Sequence, residues 1–139
     1  MKKIKSILIG VLLVASILVV ISPVSAANLE VGPGMSYTTI NTAMANAGNG
    51  DTILVYPGTY NEYVNITVPN LTLKSAAGRD STIIGPGTSD KVININSNLG
   101  TITVDGFTVL LSETVTNPNG ILQGMGSATG TTSIVKNNK

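Results

Sequence analysis

Hydrophobic positions fall into three patterns along this chain. An unbroken apolar run from Ile7 to Ile21 comes first, with Lys2, Lys3 and Lys5 ahead of it. Past a short extended lead, Asn28 to Val31, and a turn at Gly32-Pro33-Gly34, apolar residues recur at Ile40, Ala43, Met44 and Ala47. That is the i, i+3, i+4, i+7 spacing of one helical face. Thr38 or Thr39 can cap this helix, and Gly48-Asn49-Gly50 stops it. From Asp51 onward the pattern predicts strands at Thr52 to Tyr56, Tyr63 to Val68, Leu71 to Lys74, Thr82 to Gly85, Val92 to Asn96, Thr101 to Leu111, Gly120 to Gln123 and Ser133 to Val135. Gly, Pro, Asn or Asp bounds each of them, as at Pro57-Gly58, Pro69-Asn70, Gly85-Pro86-Gly87 and Asn117-Pro118-Asn119-Gly120. Strands this short are not stable as isolated hairpins, so they must stack on one another.

An internal repeat says how they stack. Leu71-Thr72-Leu73-Lys74-Ser75-Ala76 lines up with Ile102-Thr103-Val104-Asp105-Gly106-Phe107, and that with Ser133-Ile134-Val135-Lys136-Asn137-Asn138, each step being 31 residues. The same offset relates Val64 to Ile95, which predicts one register for two different strands of a coil. A helical solenoid of this period would need helical spacing in every unit, and only the segment around Ile40 has it. The expected architecture is therefore parallel coils of strands, with Leu73, Val104 and Val135 in an interior ladder and Asn and Gly turning the corners.

Composition then sets the compartment. The run Ile7 to Ile21 falls short of the roughly 20 apolar residues of a spanning helix. It breaks at Pro23 and leads into Val24-Ser25-Ala26, so residues 1–26 read as a secretory signal cleaved after Ala26. The expected product is secreted or held at the cell surface, and meets the membrane only through the signal segment during export. Residues 27–139 carry five basic and seven acidic groups without a basic cluster, which argues against nucleic acid. Cysteine is absent, so an exported domain must be held by burial and hydrogen bonds. Histidine is absent too, which removes the commonest general base and metal ligand. Charged residues make up 11% and aromatics 4% of the chain, so Thr, Ile, Val, Asn and Gly dominate and point to short strands and tight turns.

Two stretches carry a family likeness. Tyr37-Thr38-Thr39-Ile40-Asn41-Thr42-Ala43, followed by Gly50-Asp51-Thr52-Ile53-Leu54-Val55-Tyr56-Pro57-Gly58-Thr59-Tyr60-Asn61-Glu62, resembles the N-terminal entry of the pectin-lyase-like superfamily. That superfamily includes pectin methylesterases, surface β-helix proteins and NosD-like periplasmic proteins. The likeness continues through Asp80-Ser81-Thr82-Ile83-Ile84-Gly85 and Val104-Asp105-Gly106-Phe107-Thr108-Val109, then fades after Leu111. It implies an all-β, right-handed parallel β-helix over residues 27–139, with a short N-terminal helix capping the exposed coil end. Lys139 directly follows the third repeat of the ladder, which reads as the first part of a longer or truncated β-helix.

The likeness is specific for fold and weak for activity, because esterases and non-enzymatic members share this entry. The esterases use two aspartates, an arginine and glutamines in central coils. Where the family's second motif has glutamine before a short apolar strand, this chain has Asn119-Gly120-Ile121-Leu122, and Gln123 comes too late to match. A lyase would need a calcium-binding carboxylate cluster and a basic proton acceptor. Here Arg79-Asp80 reads as a solvated turn, Asp80 and Asp90 as a loop pair, and Asp51 and Asp105 as turn residues beside Gly50 and Gly106. The expectation is a chain without catalytic residues, cofactor or metal ion. Asn65-Ile66-Thr67 and Asn70-Leu71-Thr72 are sequons, so Asn65 and Asn70 are candidate N-glycosylation sites in an organism that glycosylates. Tyr60 and Tyr63 flank Glu62 on an expected exposed corner, a combination that suits sugar rings, although packing of Tyr60 against the helix is the favoured alternative for that residue. Two functions follow: a non-catalytic surface module for adhesion or contact with polysaccharide or cell-envelope glycan, or the N-terminal piece of a carbohydrate esterase or lyase.

Overall fold

Alternating apolar and polar residues become strands that bury every second side chain. A computed structural model of the chain describes residues 25–85, 92–110 and 131–139. In chain order these form β1 (Asn28–Val31), the helix α1 (Ile40–Asn46), β2 (Thr52–Val55), β3 (Gly58–Tyr60), β4 (Val64–Ile66), β5 (Thr72–Ser75), β6 (Thr82–Ile84), β7 (Ile93–Ile95), β8 (Gly100–Asp105), β9 (Thr108–Val109) and β10 (Thr131–Lys136). All strand pairings are parallel. One sheet has the order β1-β2-β5-β8-β10, a second β3-β6-β9 and a third β4-β7. The chain thus visits the three sheets in the same sequence twice, β2-β3-β4 and then β5-β6-β7, and starts a third pass with β8-β9. Over the described residues the fold is mainly β, built from parallel sheets with one short helix, as the sequence predicts.

Like residues stack on like in the interior. Leu29, Ile53, Leu73 and Val104 are register partners across the five-stranded sheet, and all are buried. In the third sheet Val64 and Ile66 face Ile93 and Ile95, also buried. Each such side chain contributes about 1.5–3 kcal/mol by leaving water. Val135 pairs with Val104, so the 31-residue ladder at Leu73, Val104 and Val135 holds along the backbone.

The second use of that offset does not hold. Val64 pairs with Ile93, and Ile95 with Ile66, two residues away from the expected match. A two-residue slip leaves every side chain on its original face, so an apolar pattern cannot detect it. The step between partners differs from pair to pair instead: Thr52 lies opposite Thr72, Gly58 opposite Thr82, Val64 opposite Ile93, Thr72 opposite Thr103 and Ile83 opposite Thr108. Loop lengths at the corners set these steps. The single strand expected over Thr101 to Leu111 is also two strands in different sheets, because the chain turns at Gly106, φ +83°. Strand β3 falls where the sequence predicts no strand; its three residues follow Pro57 and resemble a turn, and pairing with β6 makes them a strand. The strand expected over Gly120 to Gln123 lies outside the described residues, as do Asp90 and the apolar run Ile7 to Ile21. Among the described residues no helix is long and apolar enough to cross a membrane.

The helix packs on β1, β2 and β4 through Ile40, Ala43 and Met44, all buried. Thr39 is its N-cap, its hydroxyl accepting the Thr42 N–H at 3.2 Å. The Glu62 carboxylate takes the two amides that Thr39 leaves open, Ile40 N–H at 2.9 Å and Asn41 N–H at 3.0 Å. A seven-residue helix could not hold itself in water, and these bonds together with its apolar face fix it on the sheets.

Candidate functional site

Charged side chains gather where the outer face of the five-stranded sheet meets the loop after β5. In register, Lys74 lies opposite Asp105 and Asp105 opposite Lys136, an alternating column of charge on the solvent side. Beside it an open cleft of about 450 Å³ is lined by Lys74, Ser75, Gly78, Arg79, Asp80, Asp105, Gly106 and Asn137.

The loop that brings Arg79 and Asp80 there is organised by a polar residue at a core position. Ser75 follows Val31 and Val55 in the inward column of the sheet and is only 4% exposed. Its hydroxyl bonds that of the fully buried Thr82 at 2.7 Å and accepts the Gly78 N–H at 2.9 Å. Thr108 holds the far side of the loop, its hydroxyl donating to the Arg79 carbonyl at 2.7 Å. The backbone is therefore fixed, while the Lys74, Arg79 and Asp80 side chains stay exposed. Asp105 is restrained from both sides, accepting from Asn137 Nδ2 at 2.8 Å and lying 3.5 Å from Lys136 Nζ. Such a cleft offers guanidinium and ammonium donors beside carboxylate acceptors, the complement of sugar hydroxyls and acidic groups. Asp80 and Asp105, read singly as turn residues, thus line one depression.

The corner expected around Glu62 is arranged differently. Tyr60 is 6% exposed and points into the core, its hydroxyl donating to the Tyr56 carbonyl at 2.8 Å. Both Glu62 oxygens are engaged by the amides of α1. Tyr63 alone of the three keeps an open ring, at 37% exposure. The three residues therefore form no common surface, because β3 must turn Tyr60 inward opposite Ile84.

Asn65 and Asn70 both lie outside the core. Asn65 sits on the outer face of β4 and accepts from Asn94 Nδ2, on the neighbouring strand, at 2.7 Å. Asn70 turns a corner with φ +54° and bridges adjacent passes, donating to Asn49 Oδ1 at 2.9 Å and accepting the Thr101 N–H at 3.0 Å. Asp51 is buried at 6% exposure, its two oxygens accepting the Ala27 and Gly48 amides. Those amides, Ala27 first, hold its carboxyl below the usual carboxylate range, while burial opposes them. Among the described residues no group of three or more metal-ligating side chains converges. No family model, curated protein or solved structure matches this chain.

Proposed function

We propose that the chain is a right-handed parallel β-helix of the pectin-lyase-like kind, acting as a secreted or cell-surface module that contacts polysaccharide or cell-envelope glycan without turning it over. The fixed order in which the chain visits three parallel sheets supports the fold. The cleft carrying Lys74, Arg79, Asp80 and Asp105 supports the contact, because charged and amide groups converge there on a rigid backbone. The second reading, the N-terminal part of a carbohydrate esterase or lyase, draws on the two carboxylates of that same cleft.

Binding measurements on polygalacturonate, methyl-esterified pectin and a neutral glucan, with and without calcium, test both. Glycan contact at the cleft predicts that Arg79→Ala and Lys74→Ala each weaken binding of the acidic polymer roughly tenfold, about 1.4 kcal/mol, with Tyr63→Ala neutral. Loss on Tyr63→Ala alone would move the contact to the β4 corner. Absence of binding to all three polymers would end the glycan reading. Product formation abolished by Asp105→Ala in a folded protein would replace the module with an enzyme.

A further inference from the structure

Among the described residues, Asp51 carries a buried charge with no cation against it. Its Oδ1 accepts the Ala27 N–H at 2.8 Å and its Oδ2 the Gly48 N–H at 2.7 Å, while the Ala27 carbonyl accepts the Thr52 N–H at 2.9 Å. The carboxylate thus joins the start of β1 to the turn that leads into β2. Among the described residues the ion pair within reach of a carboxylate is that of Lys136 with Asp105, far along the chain. Glu30, the acidic residue of β1, is engaged by the Tyr56 hydroxyl at 3.0 Å. Two neutral amides already stabilise the ionised carboxylate, and a cation at the same distance would turn one of those bonds into a stronger, charge-assisted one. Ser25, Ala26 and Ala27 lie just upstream, exposed and in neither helix nor strand.

We infer that the Ala26–Ala27 bond is a maturation site and that its hydrolysis gives Asp51 the cation it lacks. Water adds across the amide: Ala26 leaves with the new carboxylate, and the Ala27 nitrogen, taking up the protons, becomes an α-ammonium. That nitrogen already stands 2.8 Å from Asp51 Oδ1, so a neutral hydrogen bond becomes an ion pair without movement of β1. The inference rests on reading residues 1–26 as an export signal, and a signal-type peptidase is the enzyme class required. Processing would then fasten the first strand to the second, so that the released chain is held more firmly than its precursor.

The experiment uses the full chain exported and processed by its host. N-terminal sequencing comes first: a processed product that begins at another residue overturns the maturation site, and an uncleaved chain beginning at Met1 overturns the export reading as well. For a product beginning at Ala27, protonation of the α-amine is followed by pH-dependent labelling with an amine-reactive ester. The ion pair predicts a midpoint at least one unit above the ordinary value of about 8, returning toward it in Asp51→Asn. Acetylating the α-amine of the wild-type chain gives an arm that needs no substitution, and it should lower the melting temperature by several degrees. An ordinary midpoint in the folded wild-type protein, with melting unchanged by acetylation, overturns the ion pair while leaving the export reading intact.

Discussion

Single residues at the corners hold one pass to the next. Asn70 adopts a left-handed conformation that most side chains avoid, and its amide reaches both Asn49 and the Thr101 N–H. Gly100, φ +68°, lies directly against that amide, and a Cβ there would collide with Asn70 Oδ1. Gly100→Ala should therefore cost about 2–3 kcal/mol, combining left-handed strain with displaced hydrogen bonds. Asn70→Gly keeps the backbone and loses only the side-chain bonds, about 1–2 kcal/mol, whereas Asn70→Ala adds the strain. Urea denaturation of the three variants checks the ranking. If Asn70→Gly and Asn70→Ala were equally destabilised, the positive φ would be unimportant. The sequence showed Pro69-Asn70 as a turn, but not that its amide spans two passes, since that depends on a partner 31 residues away.

At the level of elements, the link between α1 and Glu62 can be tested alone. Removing the carboxylate leaves the Ile40 and Asn41 amides without their acceptors. Glu62→Ala should cost about 1–3 kcal/mol, with hydrogen exchange accelerated at those two amides before any change in β5 or β8. Uniform acceleration across the sheets would mean that the helix is not a separable unit. The helix itself was legible because its four apolar positions share one face, and Thr39 was one of its two candidate caps. The role of Glu62 was not, because nothing in local spacing links residue 62 to residue 40. The cleft was half legible. The repeat already set Lys74 against Asp105 and Lys136, but Arg79 and Asp80 join them through a loop shaped by the inward hydroxyl of Ser75. A polar residue in an apolar column reads only as a flaw in the pattern.

For the whole molecule, pH probes both ends of the stability range. The Asp51 carboxyl ionises below its ordinary value in the folded chain, so its contribution is present above about pH 4 and is lost as pH falls through the folded value. Tyr56 and Tyr60 shift upward, Tyr56 through its hydrogen bond to Glu30 and Tyr60 through burial and then Glu62. Their contributions are present below about pH 10 and are lost as pH rises beyond it toward the folded values. Denaturation midpoints should be level between pH 5 and 9 on the order of these limits, and should fall on either side. In Asp51→Asn the acid fall should be shallower, and an unchanged acid limb would remove Asp51 from the account. The steps between strand partners carry one more consequence. Lengthening a pass from the Thr52–Thr72 step to the Thr72–Thr103 step costs only about 0.4 kcal/mol in loop-closure entropy, less than one buried methylene. Corner insertions are thus nearly free while the stacked interior is not, so evolution can remodel the surface beside the cleft by adding loop residues and leave the ladders of Leu, Ile and Val untouched.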